Sequence, residues 1–229
     1  MCSADCVTFA ARALSSRDVR GKRVIELGSR NVNGSLRPLV LSKQPSEYIG
    51  VDIERGPGVD QVCSVCGVAS RFGKESFDLA IATELLEHVR DWRSAVSNMK
   101  AILKPGGILL ITTRSRGFPY HGFPNDFWRY GPEDMEKIFS DFDILALEKD
   151  PANPGVFLKA KKSNRAEADI SGHRLYSIIA GSRISELDDS YLRAPRFYLL
   201  VLRSMLRLRR GTRRPQSALS QSAALSPRR

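Results

Sequence analysis

FDLAIATELLEHVRDWRSAVSNMKAILKPGGILLITT, residues 77–113, sets an amphipathic segment between two apolar runs. FDLAIAT (77–83) and GILLITT (107–113) are short and nearly free of charge, the pattern of strands buried on both faces. Between them Trp92, Ala95, Val96, Met99, Ile102 and Leu103 recur at helical spacing behind Asp91 as an N-cap, which predicts a helix over 91–103. Pro105-Gly106-Gly107 stops it.

The alternation continues on both sides. Upstream lie a helical pattern at 5–16, with Val7, Ala10, Ala11 and Leu14 on one face, then RVIEL (23–27), a helix near 35–43, EYIGVD (47–52) and DQVCS (60–64). Downstream, residues 114–131 are rich in Gly, Pro and aromatics without a period and read as a long loop, a type that tends to be functional in a compact domain. A helix follows at 132–140, with Pro132 in its first turn. FDILALE (142–148) and GVFLKAK (155–161) flank a turn with Pro151 and Pro154 and pair as a hairpin. Seven strands so arranged predict an α/β, doubly wound, Rossmann-like sheet. It is mostly parallel, has an antiparallel strand near one edge, and carries helices on both faces. Its ligand belongs beyond the carboxyl ends of the central strands, where Gly28, Asp52, Thr83 and the 114–131 loop converge.

At 229 residues and 42% apolar content the chain suits one domain with extensions. It has no run near the roughly 18 apolar residues of a spanning helix, and its N-terminus lacks a basic segment followed by an apolar one, so a cytoplasmic protein is expected. Cys2, Cys6, Cys63 and Cys66 fall in two close pairs. Cys63-x-x-Cys66 has zinc-ligand spacing, but no histidine lies near either pair, and reduced, partly buried thiols are the better reading; no metal is assigned. The net charge of +11 is uneven: residues 157–229 hold 16 basic and 5 acidic side chains, and the remainder is balanced. The expected division is a globular domain over 1–162, a basic helical extension over 163–210, and a disordered tail over 211–229.

VIELGSRNVNG (24–34) carries strand into loop, yet Gly28 and Gly34 do not form the Gly-x-Gly-x-x-Gly of a dinucleotide site. Taken with YIGVD, SFDLAIATELLEHV and LKPGGILLITT, it resembles the class I S-adenosylmethionine-dependent methyltransferases over roughly residues 20–161. The resemblance implies S-adenosylmethionine as cofactor. It places Glu26, Gly28, Ser29 and Gly34 at the methionine part, Asp52 at the ribose hydroxyls with Ile53 beside it, and Ser64, Thr83, Glu84 and Leu85 around the remainder. FPNDFWRYGPEDM is similar to a segment of bacterial members, often those near glycan-modifying genes, and implies a substrate-side loop. The chain departs from the family pattern in its longer, glycine-poor first loop. It also has Ser64 where an acid commonly accepts the adenine amino group; serine still accepts a hydrogen bond. A catalytically degenerate binding module stays open.

The implied activity is O-methylation of a small molecule or saccharide. A hydroxyl acceptor must lose its proton, work suited to a histidine. His121, in the aromatic loop, is the expected base, and Asp126 orients it, binds a sugar hydroxyl, or pairs with Arg129 at i, i+3, a type of pair worth little on a surface. His88 either takes part or shapes its loop; His173 receives no role. Trp128 and Tyr130 stack on the acceptor or pin the loop. The C-terminal charge also fits RNA or DNA methylation, but the fourth strand ends in ATEL rather than Asn/Asp-Pro-Pro-aromatic, and no Pro-Cys nucleophile occurs. On a helix over 196–210, Arg196, Arg203, Arg207 and Arg210 share one face; Phe197, Val201, Met205 and Leu208 lie opposite, beside Tyr198 and Leu202. Such a helix either docks on the core or lies on an anionic membrane, which would make the protein peripheral at the inner membrane face.

Overall fold

Residues 3–122 and 125–211 are described by the structure, a computed structural model, with side chains up to residue 206. Cys2 and the tail beyond Gly211 lie outside them.

The first helical pattern is two helices. α1 (Ala4–Ala13) ends at Leu14, because Ser15 and Asp18 close a capping box that starts α2 (Ser16–Val19). β1 (Arg23–Leu27), the short α3 (Arg37–Leu41), β2 (Glu47–Asp52) and β3 (Gln61–Val62) follow. A 3₁₀ turn at Val65–Gly67 leads into α4 (Val68–Phe72), a helix too short to show a period in sequence. Then come β4 (Phe77–Thr83), α5 (Trp92–Ile102) and β5 (Leu103–Arg114). The α5 expectation holds to within a residue, and the Asp91 carboxylate accepts the Ser94 N–H as its cap.

The strand order is β3-β2-β1-β4-β5-β8-β7, where β7 is Phe142–Lys149 and β8 is Gly155–Lys162. The first five strands run parallel, and β8 enters antiparallel between β5 and its hairpin partner β7. The expected doubly wound sheet is therefore present, with its reversed strand one place in from the edge. Alternate residues of each strand serve opposite faces. Ile25, Leu27, Ala80, Ala82, Leu109 and Ile111 pack toward α4, α5 and α6 (Pro132–Ile138), whereas Val24, Leu79, Ile81, Ile108 and Leu110 pack toward α1–α3. Burial on both faces is why these strands read as continuous apolar runs.

The boundary at 162 requires correction. The segment after it is not helical at first: β9 (Leu175–Ser177) and β10 (Ser182–Ile184) form a hairpin whose inner strand pairs with β6 (Trp128–Arg129), inside the segment read as loop. Leu175, Ile179, Ile184 and Leu187 belong to the main core, and Arg93 donates to the carbonyls of Ile170, Ser171, His173 and Ser185. Strands of two or three residues carry too few alternations to register as a period. Helical structure resumes only at α7 (Asp189–Arg193) and α8 (Pro195–Gly211).

The helix at 195–211 also differs from expectation. It turns Phe197, Leu200 and Val201 inward and leaves Tyr198, Leu199, Leu202, Met205 and Leu206 about half exposed. Arg196 is exposed, yet its Nε is tethered, donating to the Ile179 carbonyl at 3.0 Å. Side chains of Arg207, Leu208 and Arg210 lie outside the described residues.

Candidate functional site

A cavity of about 720 Å³ opens at the carboxyl ends of β1, β2, β3 and β4. Its position follows from topology, since the chain leaves β1 toward one side of the sheet and β4 toward the other. Gly28, Arg30, Asp52, Ile53, Ser64, Glu84 and Leu85 form the strand-end wall. His88, Val89, Arg90, Gly122, Asn125 and Phe127 form the opposite wall, together with Leu192 and Phe197 from the C-terminal segment.

Gly28 adopts φ +72°, and a Cβ there would meet Leu85 Cδ1 at 2.9 Å. Its N–H and that of Ser29 both donate to the Val51 carbonyl, which folds the loop back over β2. Asp52 ends β2 with its carboxylate accepting the N–H groups of Arg30 (3.3 Å) and Glu54 (3.1 Å), so both oxygens are oriented at the cavity wall. Ser64 caps the 3₁₀ turn and faces the cavity.

Other expected cofactor residues sit behind this wall. Glu26 is buried and accepts the Tyr48 hydroxyl; burial raises its pKa, and it braces β1 against β2 instead of facing the cavity. Ser29 and Thr83 are buried and absent from the lining, and Gly34 closes a turn on the Asn31 side chain (3.0 Å). These residues support the strand ends and the first loop without lining the cavity.

Glu84 is the strained residue of the site, non-glycine at φ +51°. Its N–H is held by the Thr112 carbonyl at 2.8 Å, and its carboxylate is paired with Arg114 Nε. Arg114 is shared with Asp150 at 3.0 Å. Burial, followed by the nearby Glu87 carboxylate, pushes Glu84 up to about 9 despite that guanidinium.

Beyond Leu85 a 3₁₀ turn at Leu86–His88 aims Glu87 inward and His88 at the cavity. The His88 and His121 rings pack edge to face with centroids 4.8 Å apart. His121 does not itself line the cavity; it stands behind His88, with Nδ1 3.0 Å from Asp126 Oδ2. Gly122, at φ +72°, lies so close to the His88 ring that a Cβ would meet Cε1 at 2.9 Å. Asp126 is no surface partner. It is fully buried in a two-pronged pair with Arg129 (2.6 and 2.9 Å) and also accepts the His121 N–H at 2.7 Å. The expectation that this i, i+3 pair is worth little is thus overturned by its burial. Burial alone would raise the Asp126 pKa, but hydrogen bonds and charge from Arg129, then His121, hold it down at about 2.

Trp128 and Tyr130 are buried and pin the loop, the indole N–H donating to the Arg90 carbonyl at 3.0 Å, so neither is available to stack on an acceptor. Phe127, Leu192 and Phe197 supply the apolar surface instead. The latter two were invisible as site residues in sequence because they lie 79 and 84 residues beyond the last strong family motif, GILLITT (107–113). Cys63 faces the cavity; it and Cys66 are free thiols whose pKa burial raises.

The sequence profile of a methyltransferase domain family matches residues 4–150. A ubiquinone biosynthesis O-methyltransferase of Parvibaculum lavamentivorans is 33% identical over 70 residues, covering 31% of this chain and 27% of that one. The enzyme of that name from a Bradyrhizobium species is 26% identical over 128 residues, covering 50% and 49%. The chain thus spans about half or less of the length of these curated relatives. In structure it is similar to 1,6-didemethyltoxoflavin-N1-methyltransferase of Burkholderia thailandensis, solved with S-adenosylhomocysteine, at TM-score 0.57 and 19% identity over 70% of this chain and 79% of that one. The match over 4–150 takes in every strand of the parallel run and the strand-end wall of the cavity, and with it the chain belongs to the methyltransferase domain family, of the class I S-adenosylmethionine-dependent type.

Proposed function

We propose that this protein methylates a hydroxyl oxygen of a small, largely apolar ring compound. The observation that carries the reading is His88, backed by His121, on the wall of a cavity whose other end presents Gly28, Asp52 and Ser64. The strand-end wall fits S-adenosylmethionine: Asp52 offers two acceptor oxygens to a ribose diol, Ser64 a hydroxyl to the adenine edge, and Gly28 a backbone free of side chain at the methionine part. Bound there, the cofactor supplies an electrophilic methyl carbon. The chain then has to align the acceptor, remove its proton and keep water out. Val89, Phe127, Leu192 and Phe197 enclose the acceptor, and orientation of this kind can contribute roughly 7–11 kcal/mol. His88 reaches the hydroxyl end, with His121 and the Asp126–Arg129 pair holding it in place. The O-methyltransferase relatives support oxygen as the acceptor atom, and the apolar lining favours a hydroxylated aromatic over a saccharide.

The exposed stripe Tyr198, Leu199, Leu202, Met205 and Leu206, flanked by exposed Arg193 and Arg203, supports seating of this face on an anionic membrane. Leu192 and Phe197 carry the cavity wall to the same helix pair, so an acceptor with a lipid tail could pass from bilayer to site. No helix among the described residues is long and apolar enough to cross a membrane.

One experiment covers both. Methyl-labelled S-adenosylmethionine is offered with a prenylated dihydroxybenzene, its amino analogue, a saccharide and RNA, with and without phosphatidylglycerol vesicles. Label should enter the dihydroxy compound alone, faster with vesicles, and the protein should sediment with them in low salt. Label in the amine or RNA instead would overturn the acceptor reading. A protein left in the supernatant would overturn the membrane reading.

A further inference from the structure

We propose that Glu87, His88 and His121 hold a single divalent transition-metal cation at the cavity wall that His88 forms. One ligand atom from each lies within 4.8 Å of the other two. Three features point to a cation and not to a bland polar cluster. Glu87 is fully buried, and Thr113 Oγ1 donates to its Oε2 at 2.8 Å while Oε1 has no partner. A buried carboxylate oxygen left so is costly unless something positive meets it. His88 Nδ1 contacts the Asn125 carbonyl, and this fixes the ring with Nδ1 protonated. Its Nε2 is then a bare lone pair, buried and without a partner.

His121 follows the same logic. Its Nδ1 is buried 3.0 Å from Asp126 Oδ2 yet makes no hydrogen bond, so a ring nitrogen is again left to ligate. A carbonyl behind one imidazole and a carboxylate behind the other is the arrangement that orients metal-ligating histidines. The nearby guanidinium of Arg114 is already engaged, by Glu84 and Asp150.

Two imidazoles and one carboxylate suit zinc, manganese, iron(II) or cobalt better than the all-oxygen preferences of calcium. Three protein donors leave a position open for a substrate oxygen. The role of the cation rests on the O-methylation reading; its binding does not. Ligated to the cation, the acceptor hydroxyl loses its proton to water at neutral pH. The oxygen lone pair then forms the bond to the methyl carbon as the methyl–sulfur bond breaks, leaving its electron pair on sulfur as a neutral thioether. The metal changes no oxidation state.

The test uses the full chain, stripped by chelator and titrated with Zn²⁺, Mn²⁺ and Co²⁺ by calorimetry, with S-adenosylhomocysteine titrated in parallel. One equivalent of metal should bind, and the Co²⁺ spectrum should show nitrogen and oxygen ligands without a thiolate charge-transfer band. Glu87→Gln and His121→Ala should each weaken the metal at least about tenfold, by analogy with losses of about 10–100-fold on removing even outer-shell partners. The spectrum reads the wild-type protein, so a poorly folding variant does not blunt the test. A thiolate band, or no stoichiometric metal by a protein that binds S-adenosylhomocysteine, would overturn the proposal. Metal binding without S-adenosylhomocysteine binding would support the metal site and remove the methyl-transfer reading instead.

Discussion

Arg129→Ala should destabilise the protein by roughly 3–5 kcal/mol, the cost of breaking a buried ion pair from one side. The Arg129 guanidinium meets both Asp126 oxygens and also donates to the carbonyls of Phe118, Pro119 and Trp128. It is 1% exposed and Asp126 is wholly buried, so truncation strands an ionised carboxylate and three acceptors at once. Water cannot replace these partners without opening the loop over the histidines. Urea unfolding should show the loss as a lower midpoint, alongside Arg12→Ala as a control. Arg12 pairs with Glu148 at an exposed site, where about 0–1 kcal/mol is expected. Equal, small effects from both would mean that Asp126–Arg129 behaves as a surface pair.

The second large effect concerns turnover. His88→Ala and His121→Ala should each lower kcat by about 10²-fold or more, the size of loss expected when groups that prepare the acceptor hydroxyl for proton loss are removed. Affinity for S-adenosylhomocysteine should stay essentially unchanged, because neither ring belongs to the strand-end wall. The two rings are in direct edge contact, so the double variant should be little worse than the poorer single. Fully multiplicative losses would mean two independent roles. Unchanged turnover in His88→Ala would remove the histidine at the cavity from the chemistry.

The parallel sheet was legible because both of its faces are covered. Strands such as FDLAIAT then become uninterrupted apolar runs, and α5 shows a full amphipathic period between two of them. The cavity residues that follow strand ends, Gly28, Asp52, Ser64 and Glu84, were legible for the same reason: topology fixes where a strand end points. The far wall was not. Leu192 and Phe197 reach it through β9, β10 and the Arg93 carbonyl cluster, contacts made by residues 77 or more positions apart. Burial likewise decided the fate of charged groups. Glu26 and Asp126 look equally available in sequence, yet one braces β1 to β2 and the other anchors the loop behind His121. His88 and His121 were both recognisable as chemistry-bearing, but only the fold brings them together with His88 in front.

The most direct measurement is calorimetric titration of S-adenosylhomocysteine and, separately, NADH into the wild-type protein and Asp52→Ala. S-adenosylhomocysteine should bind with micromolar affinity, about −8 kcal/mol, and NADH should not bind. Asp52→Ala should cost about 1.5–3 kcal/mol, the worth of hydrogen bonds to a charged acceptor. Absence of S-adenosylhomocysteine binding, or affinity indifferent to Asp52, would contradict the cofactor assignment.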